Sequence, residues 1–380
     1  MYMGNSTIMN LPYSDILQTE KFGRLFDNVT ECYKFFWFKA IIEKVKEGRN
    51  LLSYEELVDE MICSAWYMVN AYHLNLGPAD ALEAVIKLVH DKYPYLTSSA
   101  KKEDIISCLK DTDDSQIIQK KKQLTRYVPY RLQIPFLSEI SEKKLPVSEK
   151  EQIKLFNQQE RLLYYFEALN GLSTCIRIHE EWIVYIQRNY EIICGWLEYK
   201  MIQFLQRRNP NVPGISEKLY PPQERNLSEV KKFWKLIVSL QPVYEIYSDQ
   251  LLDKKDISID HFVPWSYVAH DELWNLSPTT RSINSSKSNS LPDWNTYFSK
   301  LAKQQYDAYT LIHENDSVHH EFHICARKHI NNKEIKLHIY DKANLTQTMF
   351  SNELESILLP VYESARNCGF KQWHYDNTQQ

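Results

Sequence analysis

Between residues 260 and 287 the chain spaces polar side chains in a way that suits work on a phosphate. Asp260-His261 is followed by 13 residues and Asn275, then by 8 residues and Asn284, with Lys287 three positions further on. A carboxylate and an amide carbonyl are oxygen donors of the kind a hard ion such as Mg2+ accepts, and such an ion needs only one or two protein groups because it keeps several waters. A neutral imidazole, with an ordinary pKa of ~6.5, takes a proton from water. Phosphodiester hydrolysis calls for both, since the negative phosphate repels hydroxide until a cation neutralises it. Adjacent residues of a strand point to opposite sides. Asp260 and His261 are therefore expected to flank one phosphate, one holding an ion and the other a water. Singly, each residue has an ordinary alternative: turns and caps for the asparagines, solvent for the lysine. Their joint spacing is what those alternatives do not explain.

The elements that must position these residues follow from pattern. β-branched and aromatic residues mark strands over Val243–Tyr247 and Ile257–Val263, the second ended by Pro264. A loop, "WSYVAHDELW", leads to the alternating "NLSPTT". "RSINSSKS" then forms a short helix before Pro292, on which Asn284 and Lys287 share a face. The expected outline is strand, loop, strand, helix.

Asp260-His261-x-x-Pro264, Asn275 and Asn284-x-x-Lys287 resemble the HNH nuclease family with its ββα-metal fold. The likeness is nearest to the variant with asparagine for the last histidine, as in the HNH domains of RNA-guided CRISPR nucleases. The flanking "NVTECYKFFWFKAI" extends it to a bacterial group of HNH endonuclease domain proteins. This resemblance implies that Asp260 and Asn284 hold one Mg2+, with Mn2+ as a substitute, and that His261 is the general base. It also implies that Asn275 shapes the loop holding His261 and that Lys287 donates to the phosphate; Arg281 is a candidate second cation, which helix solvation explains equally well. The cysteine pairs that bind structural zinc in some HNH proteins are missing; Tyr244 to Ser248 stand where one might start. No structural zinc is expected.

The rest of the chain constrains this reading. Its 380 residues suggest two or three domains. Eight glycines leave little material for sheet-rich architecture and favour helices. A net charge of −4 excludes indiscriminate coating of nucleic acid, so binding must come from local patches. The best patch is "KKKQLTRYVPYR", where Lys120, Lys121, Lys122 and Arg126 accompany two tyrosines; a solvated helix end is the plainer alternative. Seven scattered cysteines with no Cys-x-x-Cys fit reduced thiols. No segment has the ~20 apolar residues of a membrane helix, and a cytoplasmic location is expected.

Helical periodicity covers residues 30–46, a Ser53-x-x-Glu56 capping box starts a helix through about Tyr72, and 180–208 reads as one long helix stopped by Asn209-Pro210. A charged link runs from about Ser141 to Gln152. The proline-rich stretch 209–227 is the candidate boundary, and Ser228 is expected to cap the next helix. "HHEFHICARKH" gathers His319, His320, His323, Cys325 and His329, expected as a mixed helix surface with Phe322 and Cys325 inward; "IKLHIYD" leaves strand open. The expected fold is mainly α with a small α+β insert: a helical scaffold over 1–227, a nuclease module over 228–300 and a helical region over 301–380. The expected function is metal-dependent cleavage of DNA in restriction or phage defence, as a homodimer or with a partner protein and without a membrane. The alternatives are a nucleic-acid-binding or assembly protein with an inactive HNH fold, and an RNA-directed nuclease.

Overall fold

The computed structural model describes residues 11–137, 145–167, 169–222 and 225–376, so the part of the charged link before residue 145 lies outside the described residues. The chain divides into two compact units, one of Met1–Pro210 with Leu219–Pro221, the other of Asn211–Lys218 with Pro222–Gln380. Helices dominate both, with only short strands between them.

In the first unit, helix α1 (Tyr33–Lys46) buries most of its residues, Lys34 and Lys44 among them. It packs against α2 (Tyr54–Asn70), α5 (Glu180–Arg188) and α6 (Tyr190–Arg208). Rings fill the space between: Phe22 stacks on Trp182 at 4.7 Å and Phe26 on Phe35 at 4.5 Å. A small antiparallel sheet, β1 (Leu51–Ser53), β3 (Cys175–Ile178) and β2 (Tyr164–Phe166), lies in the order β1-β3-β2. The Ser53 hydroxyl accepts from Glu56 N–H as expected, but the Glu56 carboxylate pairs with Arg49 instead of completing a capping box. The predicted long helix over 180–208 is broken at Asn189, whose side chain bonds back to the Tyr185 carbonyl. Two further helices, α3 (Ala81–Lys92) and α4 (Ser115–Thr125), are each capped by an aspartate, Asp80 and Asp114.

The second unit starts its helices with α7 (Ser228–Leu240), in which Ser228 is the first helical residue and not the cap. No strand forms over Val243–Tyr247. Buried Glu245 takes the Tyr247 and Ser248 N–H groups at 2.8 and 2.6 Å, which turns the chain, and one isolated bridge joins Tyr244 to Leu251. The expected hairpin lies further on: β4 (Ser258–His261) pairs antiparallel with β5 (Leu276–Thr279), followed by α8 (Arg281–Lys287). Thereafter β6 (Leu291–Pro292) leads into α9 (Trp294–Glu314), α10 (Asp316–His329) and α11 (Gln347–Asn367). β7 (Gln372–Trp373) returns to pair parallel with β6. On α10, Phe322 and Cys325 are buried as expected. "IKLHIYD" is part of a π-helical turn, not a strand: Asn332 caps the preceding turn and starts helical winding.

Candidate active site

Strand β4 sets Asp260 opposite Ser277 and His261 opposite Leu276. The Thr280 hydroxyl caps α8 by accepting from Ile283 N–H, and the helix then packs on β4. Asn284 Nδ2 donates to Ser258 Oγ at 2.9 Å and to the Ile259 carbonyl at 3.1 Å. A carbonyl can only accept, so these bonds fix the amide with its nitrogen inward and leave Oδ1 as the atom available to a cation.

Asp260 is buried and gripped from two sides. Tyr247 Oη donates to Oδ2 at 2.6 Å and Lys287 Nζ to Oδ1 at 3.0 Å. Lys287 also donates to the His261 carbonyl at 2.6 Å, and its side chain is 0 % exposed. Burial pulls this ammonium below the ordinary lysine range, against the opposing charge of Asp260. The expected phosphate donor is thus enclosed by protein acceptors, a correction to the sequence reading. Its partner Tyr247 is held edge-on by Tyr297 and Trp373, both at 5.1 Å.

His261 uses different neighbours. Its Nε2 meets Asp271 Oδ1 at 2.8 Å, and Arg225 lies 3.6 Å from the same oxygen. Burial lowers the imidazole pKa; the Asp271 bond opposes this and the Arg225 charge adds to it. Burial would raise Asp271, but the His261 bond and the charges of His261, Arg225 and His329 outweigh it and hold the carboxyl below its usual range. The loop that carries Asp271 turns at Ala269, in the left-handed region at φ 54°. Asn275, fully buried, bonds Val263 twice, accepting from its N–H and donating to its carbonyl, both at 2.8 Å. That double bond fixes the chain just past His261.

Residues 244–293 match the model of a family described as HNH endonuclease. No curated protein and no solved structure matches the chain. The matched segment suggests a nuclease domain, and nucleic acid is the substrate such a domain implies. It contains Asp260, His261, Asn275, Asn284 and Lys287, along with Tyr247 and Asp271, but not Arg225 or His329.

HNH nucleases generally use divalent metals, and the oxygen donors here fit that class. One carboxylate, Asp260, and one amide oxygen, Asn284 Oδ1, suit a hard ion that retains water. Among the described residues no three His, Cys, Asp or Glu side chains form a metal-holding group. His319 and His323 do face each other on α10, with their Nε2 atoms 2.9 Å apart, but no third ligand joins them among the described residues.

The other sequence candidates separate. Arg281 is exposed at the start of α8. In the first unit Lys121 is buried, with Nζ 2.8 Å from Asp59, which corrects its reading as a nucleic-acid contact: it neutralises a buried carboxylate. Lys120 is half-buried, while Lys122 and Arg126 are exposed. Lys122 and Arg126 line a cavity of about 560 Å³ with Tyr127 and Arg131, and both guanidiniums lie over the Tyr127 ring, at 5.2 and 4.3 Å. Sequence reasoning missed Tyr247, Asp271 and Arg225. Only Asp271 left a local trace, as the His270-Asp271 pair ten residues after Asp260-His261. No helix among the described residues is long and apolar enough to cross a membrane.

Proposed function

We propose that the protein is a divalent-metal-dependent endonuclease that hydrolyses DNA phosphodiester bonds, with Mg2+ as the ion and Mn2+ as a substitute. The observation that carries this is the meeting of three functional groups within the HNH segment. His261 follows Asp260 on β4, and Asn284 is bonded to the carbonyl of Ile259, the residue before Asp260. Asp260 and Asn284 would hold the ion, whose charge, when bound, neutralises the phosphate and the departing oxygen. His261 accepts the proton of the attacking water at the ring nitrogen that Asp271 does not occupy. Asn275 braces the strand end that carries it. Lys287 holds Asp260 and the His261 carbonyl in register, and Arg281, exposed at the start of α8, is the cation that meets the phosphate. Lys122 and Arg126, with Lys120 at their side, engage the nucleic-acid backbone in the first unit. A cytoplasmic role in restriction or phage defence, as a homodimer or with a partner protein, completes the proposal.

Incubation with plasmid, linear duplex, single-stranded DNA and RNA tests it, in Mg2+, Mn2+ or EDTA, beside His261→Ala. DNA cleavage that requires the metal and disappears with His261→Ala is expected. Equal cleavage by that variant overturns the assignment, as does a wild-type protein that cuts nothing. Cleavage of RNA alone turns the reading to an RNA-directed nuclease.

A further inference from the structure

We infer that Asp271 is a positioning residue for the nuclease reaction: its carboxylate takes the Nε2–H of His261 and so presents the Nδ1 lone pair to the attacking water. The inference rests on the proposed role of His261 as proton acceptor. A neutral imidazole carries one N–H and one lone pair, and which nitrogen holds the proton is set by the partner of the other. An ionised carboxylate only accepts. With Asp271 Oδ1 at 2.8 Å from Nε2, the proton belongs on Nε2, because the opposite tautomer would set two lone pairs against each other. Nδ1 is then the basic atom. The same logic governs every nucleophile-activating histidine whose far nitrogen is held by a third group.

Asp271 is itself held more firmly than a surface loop requires. Arg225 approaches Oδ1 at 3.6 Å, and the Asp271 carbonyl accepts from His329 Nδ1 at 2.9 Å. The next residue, Glu272, accepts from the backbone N–H of Asn331 at 3.0 and 3.2 Å and from its side chain at 2.7 Å. The loop is thereby tied to the end of α10, and the Asp271 carboxylate, 23 % exposed, serves the ring of His261 at hydrogen-bond distance with Arg225 as its more distant partner.

Two measurements test this together. Histidine-selective 15N spectroscopy of the full chain, with the His261 signal assigned by its loss in His261→Ala, reads the tautomer directly. The wild type is expected to show a protonated Nε2 and a pyridine-like Nδ1; Asp271→Ala should show a mixture. In steady-state cleavage with Mg2+, Asp271→Ala should lower kcat roughly 10- to 1,000-fold with KM within about twofold, short of the complete loss in His261→Ala. Asp271→Asn keeps the shape and should fall between the two, which supplies the comparison if the alanine variant does not fold. A protonated Nδ1 in the wild type overturns the inference without any variant. So does an Asp271→Ala protein with unchanged kcat, or with reduced kcat and an unchanged tautomer; in these cases the dead His261→Ala still supports the nuclease reading. Wild-type cleavage by His261→Ala overturns that reading itself.

Discussion

Replacing Lys287 with methionine separates a buried structural cation from a phosphate donor. The ammonium is 0 % exposed and supplies two hydrogen bonds, 3.0 Å to Asp260 and 2.6 Å to the His261 carbonyl. Methionine fills similar space but leaves Asp260, 3 % exposed, with Tyr247 as its remaining side-chain donor, and leaves the His261 carbonyl short of one. Breaking a buried ion pair from one side costs about 3–5 kcal/mol, because the surviving charge stays desolvated. Asp260→Asn should cost a similar amount by stranding the ammonium. The double variant removes both charges, so its cost should fall short of the sum by at least ~2 kcal/mol. For a urea dependence of about 2 kcal/mol per molar, Lys287→Met shifts the unfolding midpoint down by ~2 M. Hydrogen exchange of the β4 and β5 amides during the titration confines the readout to the second unit. A loss below ~1 kcal/mol, additive with Asp260→Asn and accompanied by a raised KM for nucleic acid, would refute the structural assignment and return Lys287 to the phosphate.

Neutralising Lys122 and Arg126 together should flatten the dependence of DNA binding on salt by a slope of about 2, one per lost phosphate contact, in a filter-binding series from 50 to 200 mM salt. Lys121→Met should instead destabilise the first unit, whose Asp59 it neutralises, and leave that slope unchanged. Asn275→Ala removes both bonds to Val263 and should cost about 2–4 kcal/mol in chemical unfolding, with loss of the proposed cleavage. Burial, with the charge of His261 next, depresses His270 to about 4. The native ring therefore stays neutral where the unfolded one protonates: its contribution is whole above pH ~6.5 and is lost as pH falls toward 4, at most about 3 kcal/mol before solvent reduces it. His270→Gln should flatten the acid side of the stability curve measured by urea midpoints, and an unaltered slope would assign that loss to other groups.

Local pattern made the nuclease outline readable. Pro264 and Pro292 punctuate it, and the spacing of three joins Asn284 to Lys287, signals that each rest on near neighbours in the chain. What failed depended on partners far along the chain. Lys121 reads as surface within a basic run, yet its partner Asp59 lies on another helix, α2. Val243–Tyr247 has the composition of a strand, but Glu245 binds the N–H groups that a ladder would use. The contacts of Asp271 to His261 and of Arg225 to Asp271 depend on how the loop folds back, which no period encodes. Asn189 breaks a continuous apolar pattern because its side chain caps the previous turn, a choice that periodicity does not register.

The pairing of β6 with β7 also orders events in time. Leu291–Pro292 follows the hairpin after the short helix α8, but its partner Gln372–Trp373 emerges from the ribosome some 80 residues later. Trp373 packs on Tyr247, which holds Asp260, and His329 fixes the carbonyl of Asp271, the partner of His261. A nascent chain that has completed the family motif therefore still lacks the contacts that set its carboxylate and its imidazole. The expected consequence is a nuclease that is harmless while it is being made, with ribosome-bound chains ending near residue 315 unable to nick plasmid and released full-length chains able to do so.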